Sequence, residues 1–377
     1  YISSITLTIK AILEKSLNKK IIQSFLSICT FLWAVLINEY YIGLEVLRIG
    51  LISILINNKK IVPPSRKKIL LGLFWNYLPY LFAGFGFFVW RFFIFSNQRG
   101  GTNLGAFTSG FVSSPFYESL SILRGLITNF FNISILAWTE PFYKFANYLR
   151  LKDFLTCAFI ALIGALLVFG ILNAYKKEPR EEEEGRNGWL QMLLIGGFTI
   201  FATCFPIVFA NRNVTFDYYG RYAIPGMVAG ILFLLSIVFR FMSIHLRNVV
   251  IGLLVFSGIF TQLGVGKELS ADWQGSKDFW WQLSWRAPSL EKGTLLTGYS
   301  SDYRITEGFN LWAPANIIYY PRETNTVVFG ETLNTVLIHN VLEDNDTFRD
   351  FRSFELGNLT EKLLVLSKPS IHSCLHV

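Results

Sequence analysis

Charge is what this chain has least of. Only 16% of its 377 residues are charged and 52% are hydrophobic, whereas a water-soluble domain carries about 25% charged residues. That deficit excludes an ordinary globular protein and calls for lipid as part of the solvent. Cysteine patterning is missing too: Cys29, Cys157 and Cys204 lie in apolar runs, Cys374 lies in the polar tail, and no CxxC or Cys/His spacing occurs. Neither a disulfide framework nor a zinc site follows from such a set. His245, His339, His372 and His376 form no HExxH or other metal-ligand pattern. GxxxxGK[ST], GxGxxG and GxSxG are all absent, which removes the nucleotide cradles and the nucleophile elbow. There is no internal repeat. The first residues lack the signal-peptide order of charge, apolar run and cleavage site, and the chain starts at Tyr1 rather than Met, so the expectation is an N-terminally truncated chain taken from a longer protein.

What is present is a succession of apolar runs ending near residue 266. The run 21–38 is long enough, with a slight extension, to cross a hydrocarbon core of about 30 Å. A turn at Glu39, Tyr40 and Tyr41 leads into GLEVLRIGLISILI, residues 43–56, where Glu45 and Arg48 share one helix face and can neutralise each other at membrane depth. Residues 69–95 read as an aromatic span containing Pro79 and ending in the anchor pair Trp90 and Arg91. Residues 96–116, polar and rich in Gly and Ser, read as a loop. The stretch 117–139 is apolar but interrupted by Glu118, Arg124, Asn129 and Asn132, which leaves a span, an interfacial helix and a re-entrant segment all open. Clear spans follow at about 154–174, 189–210, 222–242 and 248–266.

The net charge of +8 does not form a basic stripe of the kind that binds nucleic acid. It gathers in short loops, as topogenic charge does in membrane proteins. Lys59, Lys60, Arg66, Lys67 and Lys68 crowd one loop, and Lys176, Lys177, Arg180 and Arg186 another. Counting Lys and Arg barely separates a topology in which 117–139 spans from one in which it does not. The domain boundaries read in this way are 1–266 for the transmembrane helical part and 267–377 for an α/β domain. The latter opens with the amphipathic DFWWQLSWRAPSL, with Phe279, Leu283 and Arg286 on one side and Trp281 and Trp285 on a neighbouring one, lying against the membrane or the domain's own sheet. The runs TLLTGY, TVVFG and KLLVLSK predict a small mixed sheet. The expected fold class is an α-helical polytopic membrane protein with a small C-terminal α/β domain.

Polar residues at helix ends carry whatever chemistry there is. Glu39, in a turn between Lys-rich flanks, has the position of an interfacial general base or metal ligand, or of a simple exposed turn residue. NRNVTFDYYGRYAIP, residues 211–225, enters a span through Asp217, Arg221, Tyr222 and Pro225. An Arg there can take a lipid phosphate in a bidentate grip or snorkel to headgroups.

At YYGRYAIPGMVAGILFLLSI the chain resembles the RY-x-x-P entry to a late helix in polytopic glycosyltransferases of the GT-C superfamily, which use lipid-phosphate-linked sugars. NEYYIGLEVLR, NYLPYLFAGFGFFVWRFFIF, DFWWQLSWRAPSLEKGTLL and the closing SCLHV resemble a bacterial family of multi-spanning membrane proteins of Chloroflexi-like genomes, a likeness that implies no activity. The GT-C resemblance implies a catalytic carboxylate in the first extracytoplasmic loop, basic residues at outer helix ends that hold the lipid phosphate, and a soluble domain after the last span. Arg221 matches the RY motif, with Tyr222 and Asp217 beside it as substrate-binding candidates. The first-loop Asp has no match, and Glu39 is a substitute candidate for the catalytic role. The implied function is transfer of a sugar from a polyprenyl-phosphate donor to an extracytoplasmic acceptor. The implied partners are membrane lipids and the polyprenyl-phosphate-linked sugar, with no nucleic acid. The cofactor is left open, a divalent metal being one alternative. The implied place is a bacterial plasma membrane with the C-terminal domain outside. The competing reading is a non-enzymatic scaffold or a lipid or envelope-polymer export component.

Overall fold

A computed structural model describes residues 1–58, 66–95, 111–174, 188–210, 212–215, 218–342 and 362–377. The chain divides into two compact units, the first comprising 1–97, 101–145 and 158–260, the second 98–100, 146–157 and 261–377. Among the described residues seven helices are long and apolar enough to cross a membrane, and a three-stranded sheet lies near the C-terminus. The expected class, helical and polytopic with a small α/β part, is the one observed.

In the first unit, α1 (Ile2–Leu13) lies against α2 (Leu17–Ile37). A tight 3-10 turn, Glu39–Leu44, reverses the chain into α3 (Glu45–Asn58). Asn38 starts that turn by accepting the Tyr40 amide at 3.0 Å, the local capping bond for which Asn is suited. With 14 residues, α3 rises only ~21 Å, short of a full crossing. α4 (Arg66–Val89) keeps Pro79 within its length and tightens into a π-turn at Trp90–Ile94. α8 (Gly188–Phe209) and α9 (Ile224–Phe241) pack on each other across small residues. At Gly196 a side chain would strike the Phe233 backbone at 2.9 Å, and at Gly43 it would strike Ala202 and Thr203 at 2.5 Å. Close backbone approach of this kind gives the dispersion contact that holds helices together where lipid removes the hydrophobic drive.

The stretch left open by sequence, 117–139, forms with the helix after it a hairpin that turns back within the bundle. α5 (Pro115–Ser134) descends from the end of the bundle at which Asn129 meets Val214, and Ile133 reaches Gly226 and Gly230. The chain turns at Leu136–Trp138, where the Trp138 carbonyl accepts from Ser257 Oγ at 2.8 Å. Ser257 lies roughly 20 Å along α10 (Ile244–Arg286) from its start. α6 (Glu140–Tyr148) then climbs back, Phe142 stacking on Phe256 and Phe260 at 5.8 and 5.0 Å and Phe145 meeting Phe260 at 5.9 Å. α7 (Leu151–Ala174) makes the crossing afterwards, passing Ile259 at Gly164 and reaching Asn248 through Asn173 at 2.8 Å. By length and apolarity 115–138 qualifies as a span; its contacts return it to the end it came from.

The expected break near 266 does not interrupt the backbone. α10 is one helix of 43 residues rising ~64 Å, about twice the hydrocarbon thickness, and the second unit takes it over from Thr261. A helix needs no apolar sequence once it has left lipid, so hydropathy falls where the helix continues.

In the second unit, β1 (Leu295–Ser300) is central, flanked by β2 (Phe329–Gly330) and β3 (Leu363–Lys368), both parallel to it. Where a mixed sheet was expected, the strands are all parallel; the antiparallel pairing among the described residues is the single bridge Ser367–His376. The reason is the connection: α11 (Phe309–Tyr319) carries the chain between β1 and β2, a crossover that parallel pairing requires. The amphipathic segment at the end of α10 packs against this sheet, with Phe279, Trp280 and Leu283 joining Leu296, Leu311 and Leu366 in one core. Trp281 and Trp285 stay outside at 65% and 71% exposure. Asn316 fixes the β2 edge by accepting the Val327 and Val328 amides at 2.8 and 3.1 Å.

Candidate functional site

Two polar centres stand out in the first unit. One is inside the bundle, at Arg48, whose side chain is fully buried. Its Nε donates to both Glu45 oxygens at 3.0 and 3.1 Å, Nη2 donates to Ser4 Oγ at 2.8 Å, and Nη1 donates to Thr8 Oγ1 and Ser27 Oγ. The Tyr80 ring lies beneath the guanidinium at 4.0 Å, and the Tyr1 hydroxyl donates to Glu45. Charge at membrane depth is costly unless paired and hydrogen-bonded, and this network meets that requirement from four helices. The sequence reading of Glu45 and Arg48 as a mutually neutralising pair is the observed geometry. Ser4, Thr8, Ser27 and Tyr80 were missed, although Ser4 and Thr8 stand four residues apart on an apolar helix, a spacing that marks one polar face.

The second centre lies at the end of the bundle where the Glu39–Leu44 turn meets the Tyr218–Ala223 turn. The Tyr40 and Tyr222 rings meet edge to face at 5.2 Å. Burial is the main influence raising the Tyr40 phenol above its ordinary range, followed by Tyr222 and Glu39, while the positive charges of Arg212 and Arg221 act in the opposite sense. Tyr40 is therefore within electrostatic reach of one carboxylate and two guanidinium groups. Glu39 accepts from Arg91 Nε at 2.8 Å, the two side chains being 45% and 31% exposed. The π-turn at Trp90–Ile94 presents Arg91 for that contact; such turns recur at functional positions. Arg221 is exposed with its guanidinium 5.4 Å from the Tyr222 ring, and Tyr222 is buried in a cluster with Ile207, Val214 and Ala223.

Glu39 and the neighbouring pair Arg221 and Tyr222, picked from two separate stretches of the sequence, thus lie on turns that meet through Tyr40. Asp217 lies outside the described residues. Arg91 had been read as a membrane anchor, and its carboxylate partner was invisible because 52 residues separate them. Arg212 was missed; its only sequence signal was its place in the same loop as the RY motif. Chemically, the end of the bundle offers cations and a phenol that suit an oxyanion, beside a carboxylate that can take a proton. Among the described residues no three His, Cys, Asp or Glu side chains gather to hold a metal ion. Comparison with family models, curated proteins and solved structures returns no match for this chain.

Proposed function

We propose that this chain is a membrane glycosyltransferase of GT-C kind, moving a sugar from a polyprenyl-phosphate donor to an acceptor on the outer side of a bacterial plasma membrane. Arg221, Arg212 and Tyr222 hold the donor phosphate, and Glu39 takes the proton of the acceptor hydroxyl as its oxygen attacks the anomeric carbon. The sugar–phosphate bond then breaks and leaves its electron pair on the phosphate, which the guanidinium charges stabilise.

The observation that carries this reading is the Tyr40–Tyr222 contact at 5.2 Å, which joins a carboxylate-bearing turn and an arginine-bearing turn far apart in sequence. The side assignment follows from helix parity and charge. By sequence the segments 57–68 and 175–188, next to α3 and α4 and to α7 and α8, are rich in Lys and Arg, which favours a cytoplasmic place for them. From Tyr222 the sequence runs through two further apolar helices, α9 and α10, and an even number of crossings supports an outer place for the residues after them.

The Glu39–Arg91 ion pair favours a second reading, a non-enzymatic scaffold or lipid-export component, because it gives Glu39 a structural partner. Binding decides first. Purified protein in nanodiscs should bind polyprenyl phosphate in preference to neutral polyprenol. Arg221→Ala should weaken that binding roughly tenfold, and Arg221→Lys by less, since Lys lacks the planar fork. Equal binding of the phosphate and the neutral lipid overturns the reading.

A further inference from the structure

Residues 212–215 lie outside helix and strand at the end of a helix bundle, the Arg212 amide donating to the Ile207 carbonyl at 3.0 Å. Val214 is fully buried there, among Ile133, Ile207, Tyr222 and Ala223. A buried peptide group in such a place needs partners for both its N–H and its C=O, and α5 supplies them. Asn129 Oδ1 accepts from the Val214 amide at 2.8 Å, and Asn132 Nδ2 donates to the Val214 carbonyl at 2.8 Å. Spaced three residues apart on one helix face, the two carboxamides bracket a single residue as a neighbouring β-strand would. Asn129 is itself fully buried. Its Oδ1 is fixed, and no other acceptor for the Val214 amide is present among the described residues.

The bracketed residue is next but one to Arg212 in the chain, and its side chain packs in the same cluster as Tyr222. We propose that Asn129 and Asn132 are positioning residues of the outer anion site. They lock Val214 so that Arg212 and the Tyr222 ring are held toward Tyr40, which makes the re-entrant hairpin a support for phosphate recognition. Their interruption of an otherwise apolar helix is then required by the loop that they hold. This inference rests on the lipid-phosphate reading of the site.

Five proteins in nanodiscs test it: the parent, Asn129→Ala, Asn132→Ala, Arg212→Ala as reference, and Asn129→Ala combined with Arg212→Ala. Four readouts are taken: affinity for polyprenyl phosphate, affinity for inorganic phosphate, thermal midpoint, and hydrogen exchange at the Val214 amide. The expected result is faster exchange at Val214 in the Asn129 variant. Both Asn variants should lose roughly tenfold in polyprenyl-phosphate affinity with the thermal midpoint kept within a few degrees of the parent. Combining Asn129→Ala with Arg212→Ala should add nothing beyond the larger single loss, because both act on one contact. If inorganic phosphate follows the same order, the site reads the phosphate itself; if it does not bind, the lipid tail is needed. Additive losses, or affinity falling only together with the thermal midpoint, overturn the positioning role. Should the parent show no preference for the phosphate lipid, the functional reading falls. The bracket is then judged by whether the Arg212 region, labelled at position 213, moves when Asn129 is removed, and an unmoved label overturns it.

Discussion

Arg48 and Glu45 face each other one helical turn apart, 3.0 Å between Nε and Oε1, with the guanidinium sealed from solvent and bound on its far side by hydroxyls of two other helices. Single neutral substitutions, Glu45→Gln or Arg48→Met, should each lower stability by about 3–5 kcal/mol, the cost of stranding a buried charge. The double substitution should recover a good part of that. Chemical denaturation of the purified variants in mild detergent checks this, and a double variant as unstable as the worse single one would show that the two do not act as a pair.

Glu39 and Arg91 make the opposite case. Their side chains are 45% and 31% exposed, and an ion pair this accessible contributes no more than about 1 kcal/mol. Glu39→Gln should therefore leave the thermal midpoint nearly unchanged while abolishing sugar transfer from a polyprenyl-phosphate donor. A large drop in stability with proportionate loss of binding would move Glu39 to a purely structural role.

The re-entrant hairpin predicts sidedness. In a protein whose native cysteines are replaced by serine, single cysteines at Phe116 and Leu151, both exposed, should react with an impermeant reagent added from the same side. Cysteine at position 180 should need access to the other side. Opposite sidedness of 116 and 151 would restore 115–138 as a full span.

In the second unit Lys368 is nearly sealed, 2% exposed, with Nζ bound to Asp302, which also accepts from Ser300 at 2.8 Å. Asp302→Asn keeps the size of the side chain but leaves the ammonium without its counter-charge, and should destabilise this unit by about 3–5 kcal/mol. Lys368→Met combined with Asp302→Asn should recover part of the loss. Hydrogen exchange in β1 and β3 gives a readout confined to the sheet.

What the sequence made legible follows from how local each signal is. Spans announce themselves by composition, so 154–174 appears as Leu151–Ala174 and 189–210 as Gly188–Phe209. The pairing of Glu45 with Arg48 is written in a three-residue spacing, and the three strand segments in their β-branched and apolar runs flanked by turns. Depth is not written locally. Residues 115–138 have the content of a crossing helix, and only Trp138 meeting Ser257 at mid-helix reveals the turn. Partners from distant segments are equally silent. Glu39 and Tyr222 could be nominated one by one, but nothing in either stretch names Arg91, or shows that Asn129 and Asn132 serve Val214. The continuity of α10 past 266 was hidden because hydropathy records the solvent around a helix rather than the helix itself.

Gly43 and Gly196 have a mechanical consequence. Each sits where the neighbouring backbone leaves no room for even a methyl group, so each works as a notch into which the opposing chain is seated. Sliding either segment by one residue along its neighbour would replace the notch with Ile42 or Leu44, or with Ile195 or Gly197; three of these four bring a side chain against backbone. The Glu39–Leu44 turn, α8 and α9 therefore move as a single block, and any motion that opens or closes the end of the bundle at Tyr40 and Tyr222 has to come from segments seated outside those notches.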